Sequence, residues 1–454
     1  MKSMGFDDYK FRNHTNNADC CYPFSSFYRN NQRIVAFLAC FVFFGIVYCF
    51  YIPGVTLVSP VLDSETETDF FVNKTLPPVA LLPELGDFPA VNESQASSPE
   101  TYNSQGSQDE RCDIFTGEWV PDQNGPFYTN HSCHSIEAHQ NCMKNGRPDS
   151  GYIYWRWTPK HCELPKFNPE RFLQLMRNKV MAFIGDSISR NHVQSLLCTL
   201  SQVQEAVDVY HDEKYASRRW YFPSYNFTLS VIWSPFLIKA AIFENIDGVS
   251  SDIPKLNLDK LDPEWIKDYK KFDYIELGGG KWYLKTAIYY ENNTVVGCHN
   301  CPQENITKLG FEYAYRKAIN LALEFITSSE HKAYTIFRTS TPDHFENGEW
   351  NTGGYCNRTM PFKEGDVDLI DVDKTMHDIE LEEFQKADKG LNLRLFDTTH
   401  LSLLRPDGHP GPYRTYQPFS RDKNAKVQLD CLHWCLPGPI DSWNDLMMET
   451  LMDD

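Results

Sequence analysis

Apolar positions along the chain fall into three regimes. From Ile34 to Ile52 the chain reads IVAFLACFVFFGIVYCFYI, 19 residues without a charge. At 1.5 Å per helical residue such a run covers roughly 28 Å, about one hydrocarbon core. Residues 53–110 follow with DSETETDF and NESQASSPETYNSQGSQDE, rich in Ser, Glu, Thr and Pro and without apolar periodicity. This composition predicts a flexible stem. From Cys112 to Asp454, about 340 residues return to globular sequence, with short apolar runs alternating with amphipathic stretches.

In that third regime Lys179–Gly185 (KVMAFIG) is a short apolar run closed by turn residues, which predicts a buried strand. Ser189–Leu200 reads as a helix after it. Asn168-Pro169 predicts a capped helix through Arg177, with Pro at the first helical position. Further strands are expected at Asn226–Trp233, at Phe272–Leu277 before Gly278-Gly279-Gly280, at Tyr334–Arg338 and at Leu393–Phe396. Helices are expected at Leu309–Ile326, where Phe311, Tyr315, Ala318, Ala322 and Phe325 form a stripe, at Met376–Ala387 and at Ile440–Leu451. Strands alternating with helices predict an α/β fold, a parallel sheet flanked by helices. Such sheets bind ligands at the carboxyl ends of their strands.

The apolar run reads as a retained anchor. Lys2, Lys10, Arg12, Arg29 and Arg33 precede it, and no Lys or Arg follows until Lys74. The positive-inside rule then leaves residues 1–33 in the cytoplasm, residues 34–52 across the membrane and the remainder on the luminal side, a type II arrangement. A signal peptide is the other reading, but the polar lead is too long for one and no small-residue cleavage site follows. Ten cysteines lie beyond the anchor: Cys112, Cys133, Cys142, Cys162, Cys198, Cys298, Cys301, Cys356, Cys431 and Cys435. An even count in an oxidising compartment suggests disulfides whose pairing spacing does not reveal. Cys298-His299-Asn300-Cys301 resembles half a zinc site, but Cys431 and Cys435 have the wrong spacing for its second half, so no metal is expected. Seven N-x-S/T sequons after the anchor, at Asn73, Asn92, Asn130, Asn226, Asn292, Asn305 and Asn357, fit a luminal glycoprotein. Asp and Glu number 61 against 43 Lys and Arg, a net charge of −18. That balance argues against a nucleic-acid partner and makes an anionic polymer a less natural ligand than a neutral one.

Two short motifs carry candidate chemistry. Gly185-Asp186-Ser187 stands between a strand and a helix, where a serine sits at the sheet's carboxyl edge under a helix N-terminus. Serine is also a good helix N-cap, and the tripeptide alone does not choose between these roles. Near the C-terminus, Asp430-Cys431-Leu432-His433 places a carboxylate three residues before a histidine. On a turn-like stretch the aspartate can orient the ring while the other nitrogen faces a serine. Cys431 and Cys435 would pin this loop if they are bridged. Among other histidines, His192 follows Ser187 on a helix and reads as packing or solvent-facing. His344, His400 and His409 lie in polar loops, and His409 within RPDGHPG reads as part of a structured loop or as a substrate contact. Tyr152, Tyr154, Trp155, Trp157 and Trp282-Tyr283 could stack on sugar rings or simply pack.

Together these residues make the chain resemble the plant trichome birefringence-like family, polysaccharide O-acetyltransferases related to GDSL/SGNH esterases. The resemblance rests on CDIFTGEWVPD from Cys112, on Cys133, Cys142 and YIYWRWTPKHC ending at Cys162, on GDSISRNHVQSLLC, on RPDGHPG, and on DCLHWCLPGPIDSWND from Asp430. It implies an SGNH-hydrolase-like fold over 111–454, with a Cys-rich region at 111–165 and an esterase-like region at 166–454. It further implies Ser187 as nucleophile, His433 as base and Asp430 as its orienting acid. Gly185 and Asp186 belong to the serine motif, and Arg190 and Asn191 match the family's GDS-x-x-R-N pattern and would support the oxyanion pocket. One departure stands out. The block of SGNH relatives that supplies an oxyanion asparagine corresponds here to LGGGKWY, without asparagine. Backbone N–H groups at Ser187 and the glycine run are the first substitutes.

The expected function is a Golgi-membrane O-acetyltransferase acting on a hemicellulose through an acetyl-serine. VGCHNC and FENGEW look most like the xyloglucan branch, with mannan and xylan open. No bound cofactor is expected, but an acetyl donor is required, acetyl-CoA or another acetyl carrier. An acetylesterase and a non-catalytic wall-polysaccharide binding protein are the alternatives. Acetyl release without transfer would mark the first, and indifference to loss of Ser187 the second.

Overall fold

The computed structural model describes residues 112–242, 251–388 and 392–452. The expected cytoplasmic tail, anchor and stem lie outside these residues. Among the described residues no helix is long and apolar enough to cross a membrane.

In chain order the strands are β1 (Gly117–Pro121), β2 (Trp155–Pro159), β3 (Val180–Gly185), β4 (Val207–His211), β5 (Arg218–Phe222), β6 (Phe227–Trp233), β7 (Ile238–Ala241), β8 (Lys255–Leu261), β9 (Tyr274–Gly278), β10 (Ala287–Glu291), β11 (Thr294–His299), β12 (Tyr334–Arg338) and β13 (Leu393–Phe396). The helices are α1 (Pro169–Leu175), α2 (Ser187–Leu200), α3 (Pro263–Ile266), α4 (Gly310–Ser328), α5 (Asp371–Ala387), α6 (Thr399–Leu403) and α7 (Ser442–Met452). A seven-stranded sheet in the order β13-β12-β9-β3-β6-β5-β4 forms the centre. Its strands are parallel from β13 to β6, and β5 and β4 close the edge antiparallel.

Strand β3 shows why the sheet is central. Met181 and Phe183 pack into one apolar cluster with Phe172 of α1, Leu196 of α2 and Trp443 of α7. Ala182 and Ile184 pack into another with Trp265 of α3, Ala318 of α4 and Ile379 of α5. Alternate residues point to opposite faces, so both faces are covered, and the strand reads as one continuous apolar run.

The expected elements are present with shifted ends. Asn168 caps α1 by accepting from the Arg171 N–H at 3.0 Å, with Pro169 in the first turn. Helix α2 starts at Ser187 rather than Ser189, because the Asp186 side chain takes the cap by accepting from the Ile188 N–H at 3.0 Å. The parallel-sheet expectation needs one enlargement. A second sheet, β11-β10-β8-β7, belongs to the α4 side. Its strands are mostly half-exposed and polar-interrupted, so their apolar signal is weak.

All ten cysteines of the described residues are paired: Cys112–Cys162, Cys133–Cys198, Cys142–Cys435, Cys298–Cys301 and Cys356–Cys431. Cys298 and Cys301 therefore bridge each other and form no half of a zinc site. Cys431 and Cys435 do not bridge each other. Each is tied to a different distant segment. The Cys-rich region is also sewn to the esterase-like region by Cys133–Cys198 on α2 and by the indole N–H of Trp119, which donates to Leu401 O at 2.8 Å.

Candidate active site

Parallel strands β3, β6, β9 and β12 end at one side of the sheet, and a cavity of about 1730 Å³ opens there. Asp186, Ser187 and Arg190 line it from the start of α2, Trp233 from the end of β6, Gly279, Gly280 and Lys281 from the turn after β9, and Arg338 and Ser340 from the end of β12. Asp430, Leu432 and His433 line it from the C-terminal loop. The structure thus brings Ser187, Asp430 and His433 to one cavity, although 243 residues separate Ser187 from Asp430 in sequence.

The serine turn is built by close packing. A Cβ on Gly185 would lie 2.1 Å from Gly278 O and 2.5 Å from Ser189 Oγ, so glycine is required where β3 and β9 end side by side. Ser187 is the first residue of α2, so its N–H has no acceptor within the helix and points toward the cavity end of the dipole. Below the turn, buried Arg338 donates Nε to Glu276 Oε1 at 3.2 Å and Nη2 to Ser189 Oγ at 3.3 Å. Its Nη2 also stands 3.9 Å from Asp186 Oδ1. Glu276 in turn faces His192 Nδ1 at 2.8 Å, and both are fully buried. His192 is therefore an interior residue rather than a solvent-facing one. Arg190 places its guanidinium 4.6 Å from the Trp233 ring centre. Burial lowers its proton affinity, against Glu137 and Asp186.

The histidine side has no regular secondary structure. His433 Nδ1 lies 2.9 Å from Asp430 Oδ2 and 3.1 Å from Oδ1, so Nδ1 carries the proton and Nε2 is the basic nitrogen. Asp430 also accepts the His433 backbone N–H at 3.0 Å. Burial alone would raise this carboxyl, but the charge and hydrogen bonds of His433, with Arg414 behind them, hold it well below the usual carboxylate range. His139 stands beside His433, with ring centres 6.2 Å apart. Burial pushes His139 down to about 4 despite Glu137, and His433 adds to that effect. His139 is therefore neutral near pH 7. Among the described residues no hydrogen bond joins Ser187 Oγ to His433.

Asn191 joins the two sides. It is fully buried, accepts the Trp434 N–H at 2.7 Å and donates to Trp434 O at 3.3 Å. Its amide is therefore used up on the residue after His433. It supports the site by fixing helix to loop, not by facing the cavity. Gly185 likewise lies beneath the cavity. Of the expected aromatic residues, Trp282 lines the cavity. Tyr152 and Trp157 are buried elsewhere, and Trp157 donates to Ile114 O at 2.9 Å.

The loop 405–411, expected as a structured loop or a substrate contact, packs against the segment that carries Asp430 and His433. Buried Arg405 holds Asp407 with Nε–Oδ1 at 2.8 Å and Nη2–Oδ2 at 3.0 Å. Gly411 and Asp430 exchange backbone hydrogen bonds at 2.8 and 3.1 Å, and Cys435 N–H donates to Gly408 O at 2.9 Å. A Cβ on Gly408 would meet Pro439 Cγ at 2.3 Å. His409 and His344, which reading by motif left in polar loops, sit directly behind His433. Their spacing in sequence carries no signal of this.

Comparison with known proteins agrees with this architecture. Residues 164–450 match the GDSL/SGNH-like acyl-esterase family found in Pmr5 and Cas1p, and residues 110–163 match the PMR5 N-terminal domain. Protein trichome birefringence-like 25 of Arabidopsis thaliana is 54% identical over 446 residues, 95% of each chain. Protein trichome birefringence-like 26 of the same plant is 59% identical over 349 residues, 76% of this chain and 78% of that one. Xyloglucan O-acetyltransferase 1 of Arabidopsis thaliana is 44% identical over 364 residues, 79% of this chain and 86% of that one. The chain belongs to this GDSL/SGNH-like acyl-esterase family and, within it, to the plant trichome birefringence-like proteins.

Proposed function

We propose that the protein is an O-acetyltransferase that moves acetyl groups from a donor to a hemicellulose, xyloglucan before mannan or xylan. The observation that carries this reading is the Asp430–His433 pair facing the same cavity as Ser187. His433 Nε2 takes the proton of Ser187 Oγ as the oxygen attacks the acetyl carbonyl. The N–H of Ser187 and the backbone of Gly279 and Gly280 stabilise the oxyanion. Collapse releases the donor with the proton from His433 and leaves acetyl-Ser187. A sugar hydroxyl then loses its proton to His433, attacks the acetyl carbonyl and frees Ser187. Asp430 holds the ring and stabilises the imidazolium in both halves.

The kinship with xyloglucan O-acetyltransferases of poplar and Arabidopsis supports the acceptor. The acidic balance of the chain also favours a neutral glycan. The charge pattern around residues 34–52 and the paired cysteines support a single-pass type II protein of the Golgi membrane. Exposed sequons at Asn226, Asn292, Asn305 and Asn357 fit that side of the membrane. The donor is acetyl-CoA or another acetyl carrier.

The test incubates the full chain with an acetyl donor and separate panels of xyloglucan, mannan and xylan oligosaccharides, beside Ser187→Ala. Acetyl mass gained on one panel and lost in the variant supports the transferase. Acetate released without glycan gain makes the protein an esterase. Equal glycan binding by both proteins without acetyl chemistry leaves a binding module.

A further inference from the structure

His409 and His344 form a chain of contacts behind His433. His409 Nδ1 lies 2.8 Å from His433 O. His344 Nε2 lies 2.8 Å from Leu403 O. His344 Nδ1 and His409 Nε2 face each other at 2.7 Å. A carbonyl oxygen only accepts, so His409 Nδ1 and His344 Nε2 must each carry a proton. The two remaining nitrogens then stand at hydrogen-bond distance. If both rings were neutral, two bare lone pairs would face each other there. One further proton between them removes that repulsion. The four nitrogens hold three protons, and the pair carries one positive charge.

We infer that His344 and His409 share one proton, and that this charged pair is a positioning element for the loop that bears the catalytic base. Its leverage is direct, because His409 grips the carbonyl of His433 itself and stacks on Trp434 at 4.4 Å between ring centres. The two rings come from different segments. His344 lies on the loop after β12 and donates its backbone N–H to Cys431 O at 2.9 Å. His409 lies on the 405–411 loop, whose carbonyl at 409 accepts from Arg147 Nη1 at 2.8 Å. The shared proton thus joins three segments around His433.

The surroundings decide when the proton stays. Burial is the largest influence and holds both rings below the ordinary histidine range, His409 well below it, with the charge of His344 adding to the effect on His409. Asp343 and Asp407 draw the proton to His344, and Asp430 draws it to His409. Lys281 and Arg147 oppose it. Asp343 is itself engaged by Lys281 at 3.0 Å, and Asp407 by Arg405. The joined pair is thus the acidic form. As pH rises the third proton leaves, the two bare nitrogens repel, and the His433 loop loses this brace.

The kinetic arm of the test rests on the reading of His433 as base, whereas the spectroscopic arm does not. The full chain labelled with ¹⁵N in histidine is followed by long-range ¹H–¹⁵N spectra from about pH 4.5 to about pH 8, around the ordinary histidine range. The expected result is one strongly deshielded proton correlated with nitrogens of both rings, which vanishes as the two rings titrate together. Two rings that titrate separately, or that stay neutral with no common proton, overturn the shared proton. His344→Asn supplies the discriminating variant, because its amide N–H can donate to His409 Nε2 without any added proton. Cleavage of p-nitrophenyl acetate should fall about tenfold to a hundredfold in the native chain above the pair's titration, the size expected for a misplaced base. In His344→Asn that alkaline fall should be absent. An unchanged alkaline fall in His344→Asn, with the common proton seen in the native chain, overturns the positioning role. If the native chain cleaves no acetyl ester at all, the acetyl-transfer reading fails and the spectra still decide the proton.

Discussion

The two walls of the cavity are held by different means. Ser187 stands on a strand–turn–helix unit whose order comes from a buried parallel strand, a required close approach at Gly185 and an aspartate cap. Asp430 and His433 stand on an irregular loop outside any sheet or helix. That loop is fixed by Cys356–Cys431 and Cys142–Cys435, by backbone pairing of Asp430 with Gly411, by Asn191 and by His409. A nucleophile can be placed by regular secondary structure alone. A base brought from the far end of the chain needs a separate restraint for nearly every residue around it.

The largest effects should come from the groups proposed to carry the chemistry, found on both walls. Ser187→Ala and Asp430→Asn should each lower acetyl transfer by about 10³-fold or more at pH 7, with the melting temperature of Ser187→Ala close to that of the native chain. Transfer rates and thermal melts on the same preparations check this. Retained transfer in Ser187→Ala would remove the serine wall from the chemistry.

The next effect separates the walls. Cys142→Ala with Cys435→Ala opens a bridge across a sequence separation of 293 and should cost about 4 kcal/mol of stability. Denaturant unfolding under oxidising conditions measures it. Activity should fall ahead of global unfolding, because the histidine loop loosens before the sheet does.

Asn191→Ala cuts the strap between the walls while leaving both motifs intact. It should lower kcat about tenfold to a hundredfold and change KM little, since the proposed base at His433 is displaced while the rest of the cavity lining is not. Steady-state rates over a range of acceptor concentrations distinguish this from a KM effect, which would place Asn191 at the substrate.

The smallest effect concerns pH. Burial raises the Asp445 carboxyl to about 7, against a hydrogen bond from the Phe167 N–H at 2.7 Å. The unfolded chain releases this proton near about 3.9 while the native chain keeps it to about 7. The native preference for the protonated form is fully present below the unfolded value and is lost as pH rises through the folded one. Asp445→Asn keeps an acceptor for Phe167 and cannot ionise. Its stability relative to the native chain should therefore improve from about pH 4 to about pH 8. Thermal melts at both ends check the sign.

The same contrast explains what could be read from the chain. Strand β3, helix α2 and Ser187 were legible because local periodicity and turn residues encode them. Asp430 and His433 were legible as a motif, since three residues separate them, and the structure joins them by hydrogen bonds. The cysteine pairing was not legible, because any ten cysteines admit many pairings and only the folded path selects one. Strands β4 and β7 escaped notice because β4 is exposed along its whole length and β7 is short. The contact between His344 and His409 was not legible, because they meet across 65 residues with no local signature.

The most direct test of the whole account is the mass of the protein after brief exposure to an acetyl donor, followed by peptide mapping. One added acetyl group is expected on Ser187, absent from Ser187→Ala, that disappears when a xyloglucan oligosaccharide is added and gains the same mass. Transfer to the oligosaccharide with no acetyl on Ser187, or with the acetyl on another residue, would contradict it.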